Sequence, residues 1–208
     1  MSVLSELKKA GGCSGGVAIY FTARESARLR NVQRKERKLW SSTKVVMKKF
    51  FPKLDLDKVE FCINSSLPAN WFESPDKVQA MTFGTRMYFK GSNIQKSRAG
   101  LKLLMHELVH IDQIRRKGGE TAFACAYGKG YLESGSYRQN PLEVEAFNFV
   151  DKHGSSLPDG VKKPEIVVHT HPFPGCQGGK HHKSCEGKKA EHFCRKLFGT
   201  SYTCVHSK

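Results

Sequence analysis

The stretch Leu103-Leu104-Met105-His106-Glu107-Leu108-Val109-His110 decides how the rest of this chain is interpreted. Apolar residues recur around it at helical spacing, at Leu101, Leu104, Leu108 and Ile111, and Gly118-Gly119 follows where a helix would stop. The segment is therefore predicted to be a helix. Because His106 and His110 are four residues apart, both imidazoles project from one face of that helix.

The two histidines enclose a glutamate in the pattern H-E-x-x-H. Two imidazoles at this spacing can hold one ion, while the glutamate between them faces water coordinated to it. Zinc suits nitrogen ligands, and when only three protein groups bind it, it lowers the pKa of the remaining water to about 7. We therefore predict a Zn²⁺ site with His106 and His110 as ligands and Glu107 as the general base. The alternative is a buried helix that matches the pattern by accident.

A third ligand has to come from another part of the chain. Asn140-Pro141 is predicted to start a second helix, with proline at an early position. Glu143 and Glu145 both follow closely, but residues two apart on a helix point about 200° apart. Only one of these carboxylates can face the metal.

This arrangement resembles the gluzincin metallopeptidases, in which a second helix after HExxH supplies a glutamate ligand from an ExxA(D)-like stretch. Glu143 lies three residues before Ala146 and matches that ligand position. The resemblance implies that Glu143 completes the ligand set. Gluzincins often carry Asp after the alanine, where this chain has Phe147; Asp112 and Asn148 are candidates to orient a histidine ligand in its place.

The stretch at residues 80–89, AMTFGTRMYF, looks like the T-x-G-x-x-I-Y-F strand that precedes the helix in small bacterial HExxH proteins. These minigluzincin-like domains are often associated with secreted toxins and contractile injection particles. The resemblance covers roughly residues 52–152 and extends to the segments 110–113, 118–119 and 137–146 and to Phe123 and Tyr127. It implies that an edge strand lies over the active-site helix and pairs with an extended peptide substrate. The alternative is a strand that only covers the helix.

The fold class predicted from these elements is α+β. Strands are expected near residues 58–64, 78–82 and 85–90, followed by the HExxH helix and by helices over about 120–133 and 141–152. The metal is expected between the HExxH helix and the last of these. The predicted organisation is an N-terminal basic helix in residues 1–51, a metallopeptidase domain in 52–152, and a proline-containing linker with a Cys/His-rich basic tail in 153–208.

The net charge of +16 is concentrated near the N-terminus, since residues 23–50 contain ten Lys or Arg and two Glu. Apolar residues in this segment are spaced as one stripe, which predicts a long amphipathic helix with a basic outer face, at Leu29, Val32, Leu39, Trp40, Val46 and Phe50. Such a helix could contact a polyanion, either nucleic acid or an anionic membrane. The alternative is a solvated helix packed on the metal domain.

The tail contains Cys176, Cys185, Cys194 and Cys204, interspersed with histidines but without a CxxC pair. Two disulfides, a second metal site or free thiols are the possible states, and a stapled module is the prediction. The other cysteines, Cys13, Cys62 and Cys125, stand alone in the sequence, and burial as small apolar side chains is expected for the last two.

The chain has no apolar run of about 18 residues, so no transmembrane segment is predicted. Its glycine-containing N-terminus lacks the continuous apolar stretch of a classical signal peptide. A cytoplasmic location, or export by a specialised leaderless route, is expected.

The predicted function is zinc-dependent hydrolysis of peptide bonds in a peptide or protein substrate. Tyr137 and Arg138 are the nearest candidates to stabilise the tetrahedral oxyanion, and Tyr131 is a third. Two alternatives are a non-catalytic, zinc-stabilised interaction module and a polyanion-binding protein. A purely structural zinc site has no use for the Glu107 carboxylate and normally closes its fourth position with a protein ligand. The presence of Glu107 therefore argues against the non-catalytic alternative.

Overall fold

The computed structural model describes residues 11–68 and 78–164 and the backbones of three further strands, Ile166–His169, Phe193–Lys196 and Tyr202–Ser207. The chain divides into two compact units, residues 1–162 and 163–208. The first unit therefore combines the predicted 1–51 segment with the predicted metal domain and extends beyond residue 152.

The first unit contains a four-stranded mixed sheet, formed by β1 (Arg37–Lys38), β2 (Glu60–Cys62), β3 (Ala80–Phe83) and β4 (Arg86–Phe89). The strand order is β1-β2-β4-β3, in which β2 and β4 are parallel and the other pairs are antiparallel. Gly84, at φ 60°, makes the tight turn between β3 and β4. β3 is an edge strand, and the predicted strand positions are confirmed.

Within the described residues, five α-helices accompany this sheet: α1 (Gly12–Arg30), α2 (Ser41–Lys48), α3 (Arg98–Arg116), α4 (Glu120–Ser134) and α5 (Pro141–His153). α5 leads into a short 3-10 turn, Gly154–Ser156. The HExxH helix and the two helices after it lie close to their predicted positions, so the α+β class is confirmed. None of the described helices is long and apolar enough to cross a membrane.

Local sequence explains where the two site-bearing helices begin. Ser97 precedes α3, and its side-chain oxygen accepts a hydrogen bond from the Gly100 amide at 3.1 Å. Asn140 precedes α5 and accepts from the Leu142 amide at 3.1 Å, with Pro141 at the first position of the helix. These caps fix the register in which both helices present their side chains.

The core between the sheet and α3 is apolar on both sides. Because strand side chains alternate, β2 and β4 direct one face towards α3. The packing residues are all buried: Phe61, Met87 and Phe89 from the sheet and Leu101, Leu104, Met105 and Leu108 from α3. The HExxH helix is thereby held rigidly against the sheet.

The single amphipathic helix predicted over residues 23–50 is wrong. The structure has α1, then β1, then α2 in this region, and Leu29 and Val32 are exposed while Leu39 is buried. Asn31 is the physical reason, because its side-chain amide donates to Ala27 O and to Ser66 O instead of extending the helix. The apparent stripe combined one residue of α1 and one of α2 with residues of the turns and loops beside them.

The interface between α1 and α4 is close enough that two glycines are required. A Cβ atom on Gly16 would lie 2.8 Å from Gly128 Cα, and one on Gly128 would lie 2.4 Å from Gly12 O. A disulfide between Cys13 and Cys125 joins the same two helices. The expectation that these two cysteines stand alone is therefore wrong, whereas Cys62 is free and buried as expected.

We expect Gly128→Ala to lower the free energy of unfolding by about 1–3 kcal/mol, because the added methyl group overlaps α1 backbone. Denaturant titration would measure this change. Gly91→Ala is the matched control, since a Cβ atom there has no neighbour within 4 Å. Equal stability of the two variants would contradict the close packing of α1 on α4.

The second unit contains a three-stranded antiparallel sheet, formed by β5 (Ile166–His169), β6 (Phe193–Lys196) and β7 (Tyr202–Ser207) in the order β5-β7-β6. Its register places Cys194 opposite Cys204. Cys176 and Cys185 lie outside the described residues, so the stapling of the tail stays a prediction.

Candidate metal centre

The three predicted ligands come together in one buried cluster. His106 and His110 project from successive turns of α3, with their Nε2 atoms 3.1 Å apart. Glu143, from the first turn of α5, places Oε2 3.1 Å from His106 Nε2 and Oε1 3.4 Å from His110 Nε2. The ligand atoms all lie within 4.8 Å of one another, so the group could bind a metal ion. Its two nitrogens and one oxygen are the donor set that zinc takes in catalytic sites.

The electrostatics of the cluster favour a cation at this point. Burial by itself would lower the pKa of His110, but the Glu143 carboxylate raises it to about 9. Burial would raise the pKa of Glu143, yet the two histidines hold it far below its usual range. A metal ion would replace the proton shared among these groups, so its binding is expected to release a proton.

Gln113 orients His110, a role that sequence reasoning missed. The Nδ1–H of His110 donates to Gln113 Oε1 at 2.9 Å, which leaves Nε2 to bind a metal. The amide group of this fully buried glutamine donates in turn to Leu142 O at 2.8 Å, next to Glu143 in the chain. One side chain therefore links both ligand-bearing helices. Its spacing of three residues after His110 is the signal that could have identified it.

The groups considered for this orienting role do something else. Asp112 forms ion pairs with Arg115 and Arg116, both at 2.9 Å. Asn148 is exposed on α5. Neither contacts a histidine ligand, so this part of the sequence interpretation is corrected.

We expect Gln113→Met to lower metal affinity by about 10- to 100-fold, the usual effect of losing a group that orients a ligand. Methionine has a similar length but cannot accept the His110 proton in a strong hydrogen bond. Competition with a chromophoric chelator would measure the affinity. Asp112→Asn is the control, and an equal loss in both variants would show that Gln113 does not act through His110.

Glu145 points away from the cluster, in agreement with the prediction that only one of Glu143 and Glu145 can face the metal. Its carboxylate pairs with Arg116 and accepts from Gln113 Nε2 at 3.1 Å, and its side chain is 44% exposed. Phe147, which stands in place of the usual acidic residue, packs its ring 4.8 Å from the His106 ring. His106 is thus positioned from this side by an aromatic contact.

Glu107 is buried beside the ligands, but it is not one of them. Thr82 of the edge strand β3 donates a hydrogen bond of 2.6 Å to Glu107 Oε2. Glu107 lines two cavities, one of about 480 Å³ and one of about 120 Å³. It is therefore held on one side and accessible from the cleft.

Of the three residues predicted to stabilise an oxyanion, Tyr137 interacts with both Glu107 and the ligand Glu143. It lines both cavities with Glu107 and donates a hydrogen bond to Glu143. Burial and the two nearby carboxylates raise the pKa of Tyr137, so the phenol stays protonated. Arg138 is exposed at the larger cavity, and Tyr131 is buried in α4 at the smaller one.

Tyr127 contacts the site although no role was predicted for it. Its hydroxyl donates to Glu143 Oε1 at 2.8 Å, and burial raises the pKa of Tyr127 well above its usual value. The contact restrains the ligand carboxylate from the α4 side. Tyr127 is one helical turn from Phe123, which also packs near His110. The spacing of four residues places both aromatic rings on one face of α4, and this spacing is the sequence signal that could have identified Tyr127.

Residues 44–118 match the family model of the eCIS core domain. This match runs from within α2 to two residues beyond the end of α3. It links the chain to proteins associated with extracellular contractile injection systems. It includes both histidines and Glu107, but not Glu143. No curated protein and no solved structure matches the chain significantly.

Proposed function

We propose that this protein is a zinc-dependent metallopeptidase. The observation that carries the proposal is the position of Glu107, which lies against the His106, His110 and Glu143 cluster, is absent from the ligand set and faces the cleft. A structural zinc site normally has four protein ligands and needs no adjacent carboxylate. Three ligands beside a carboxylate and a cavity are the arrangement of a hydrolytic site.

Zinc held by these three side chains would supply a Lewis acid that brings the pKa of water near 7. Glu107 accepts the proton of the attacking water and then delivers it to the leaving amine. Thr82 fixes Oε2 of this carboxylate and so limits its rotation. The hydrogen bond between Thr82 and Glu107 therefore holds the carboxylate of the general base in a defined orientation at the cleft.

Tyr137 is the residue we assign to oxyanion stabilisation. Its raised pKa keeps the hydroxyl protonated, and the phenol lies near both Glu107 and Glu143. To stabilise an oxyanion, the hydroxyl would redirect its single proton from Glu143, which accepts it in this structure. A donor directed at the developing oxyanion typically contributes about 10²- to 10³-fold to kcat. Arg138, at the rim of the larger cavity, is the second candidate.

The edge strand supports an extended peptide as substrate. β3 pairs with β4 on one side, and no described strand pairs with its other side. Thr82 of β3 contacts the general base, so a chain added to this edge would pass the site of chemistry. Strand addition uses main-chain hydrogen bonds, which accounts for recognition of peptides as a class.

Incubation with a diverse peptide library, followed by mass spectrometry of the products, tests this function. We expect cleavage products that disappear after treatment with a zinc chelator and return when zinc is added. A protein that binds zinc but cleaves no peptide would instead support the non-catalytic interaction module.

A further inference from the structure

The smaller cavity has a wall that does not come from the segment matched by the eCIS core domain. Four residues of α1 line it on one side: Gly16, Ile19, Tyr20 and Ala23. Its inner end reaches Glu107 and His110. Because the family match covers residues 44–118, α1 adds this wall to the matched segment.

α1 is attached firmly on both sides of the cavity. The disulfide between Cys13 and Cys125 and the contact between Gly16 and Gly128 hold it to α4. Tyr20 donates to Glu120 Oε2, at the start of α4, at 2.9 Å. On the other side, the Tyr20 hydroxyl accepts at 2.9 Å from the amide of Gly84, in the turn between β3 and β4. The wall is therefore a fixed surface of the cleft.

Away from the metal cluster, the cavity is lined mainly by apolar side chains. Ile19 lies on the α1 side, and Met81 and Phe83 of β3 and Phe123 of α4 also line it. The hydroxyl of Tyr20 is already engaged by two partners. A charged side chain inserted among these apolar residues would lose its hydration without gaining a partner from them, whereas an aliphatic one would be stabilised by burial.

The volume of the cavity restricts the size of its occupant. At about 120 Å³, it is smaller than the engineered apolar cavity of about 150 Å³ that binds benzene. A branched aliphatic side chain fits such a space, while an indole does not. The direct opening towards Glu107 places that side chain next to the scissile bond.

We propose that the cavity between α1, β3 and α4 is a substrate subsite for one branched aliphatic side chain, with α1 setting its size limit. This inference rests on the proposed peptidase function. It assigns substrate selectivity to a helix that lies outside the matched segment.

The first test uses a series of peptides that differ only in a residue beside the cleaved bond. Wild-type protein should have a higher kcat/KM for Val or Leu than for Trp, Lys or Glu at that position. Ile19→Ala should shift the Phe-to-Leu ratio of kcat/KM towards Phe by at least about tenfold, because it enlarges the cavity. Leu29→Ala, on the exposed side of the same helix, should leave the ratio unchanged.

The second test measures binding by methyl NMR on zinc-loaded wild-type protein. N-acetyl-leucine amide should cause saturable shifts of the Ile19 and Met81 methyl signals, and N-acetyl-lysine amide should not. If these shifts occur but no peptide is cleaved, the subsite stands and the peptidase function fails. The opposite outcome is cleavage of peptides with an unchanged Phe-to-Leu ratio in Ile19→Ala and no methyl shifts. That outcome would overturn the subsite and leave the peptidase function standing.

Discussion

Replacement of Glu107 by glutamine is expected to lower kcat/KM for peptide hydrolysis by about 10²- to 10⁴-fold. The amide keeps the size of the side chain and can still bond to Thr82, but it cannot accept the proton of the attacking water. Zinc content should remain at the wild-type level because Glu107 is not among the ligand atoms. Peptide kinetics and elemental analysis of the same sample measure both quantities.

Glu145→Gln is the matched control for this experiment. Glu145 lies on α5, but its carboxylate contacts Arg116 and Gln113 and points away from the cluster. Its substitution should change kcat/KM by less than about threefold. Hydrolysis by Glu107→Gln at a rate comparable to this control would remove Glu107 from the mechanism.

Glu143→Ala is expected to weaken zinc binding by at least about 100-fold, more than the loss of an orienting group does. The substitution removes one of three ligands and leaves both imidazoles buried beside an apolar methyl group. Zinc affinity can be measured by competition with a chelator, and thermal unfolding with and without zinc gives an independent estimate.

The adjacent acidic residue provides the control for ligand identity. Glu145→Ala should change zinc affinity by no more than about threefold, because its side chain lies outside the cluster. If Glu145→Ala lost zinc and Glu143→Ala retained it, the ligand register of α5 would be wrong. Equal retention by both would show that zinc is held elsewhere in the chain.

The parts of the site that could be predicted from sequence are those set by helical geometry. His106 and His110 share a face because they are four residues apart, and Glu143 and Glu145 diverge because they are two apart. Asn140-Pro141 marked the start of α5 correctly because capping is a local interaction. The choice of Glu143 over Glu145 came from the gluzincin resemblance, and the structure brings Glu143 to the histidines.

The features that were missed depend on contacts between distant parts of the chain. Asn31 ends α1 partly through Ser66, which lies 35 residues away, so periodicity within residues 23–50 could not locate the break. Cys13 and Cys125 are 112 residues apart, and their spacing contains no information about pairing. Interactions of this kind become visible only when the fold is known.

Gln113 illustrates an intermediate case. Its spacing from His110 is local, but its value as an orienting residue depends on the second contact to Leu142 O in α5. The sequence interpretation named Asp112 and Asn148 as candidates for this role, but Asp112 pairs with two neighbouring arginines and Asn148 is exposed. The buried environment selects the neutral amide, because it can satisfy a donor and an acceptor at once without adding charge.

Zinc titration with simultaneous measurement of peptide hydrolysis tests the central claim most directly. Chelator-treated wild-type protein and Glu107→Gln would each receive increasing zinc, while bound zinc and product formation are recorded together. The proposed mechanism requires that wild-type activity rises in parallel with occupancy of the His106, His110 and Glu143 site, and that Glu107→Gln reaches the same occupancy with almost no activity. A wild-type site that fills with zinc and hydrolyses no library peptide, or a Glu107→Gln protein as active as wild type, would contradict it.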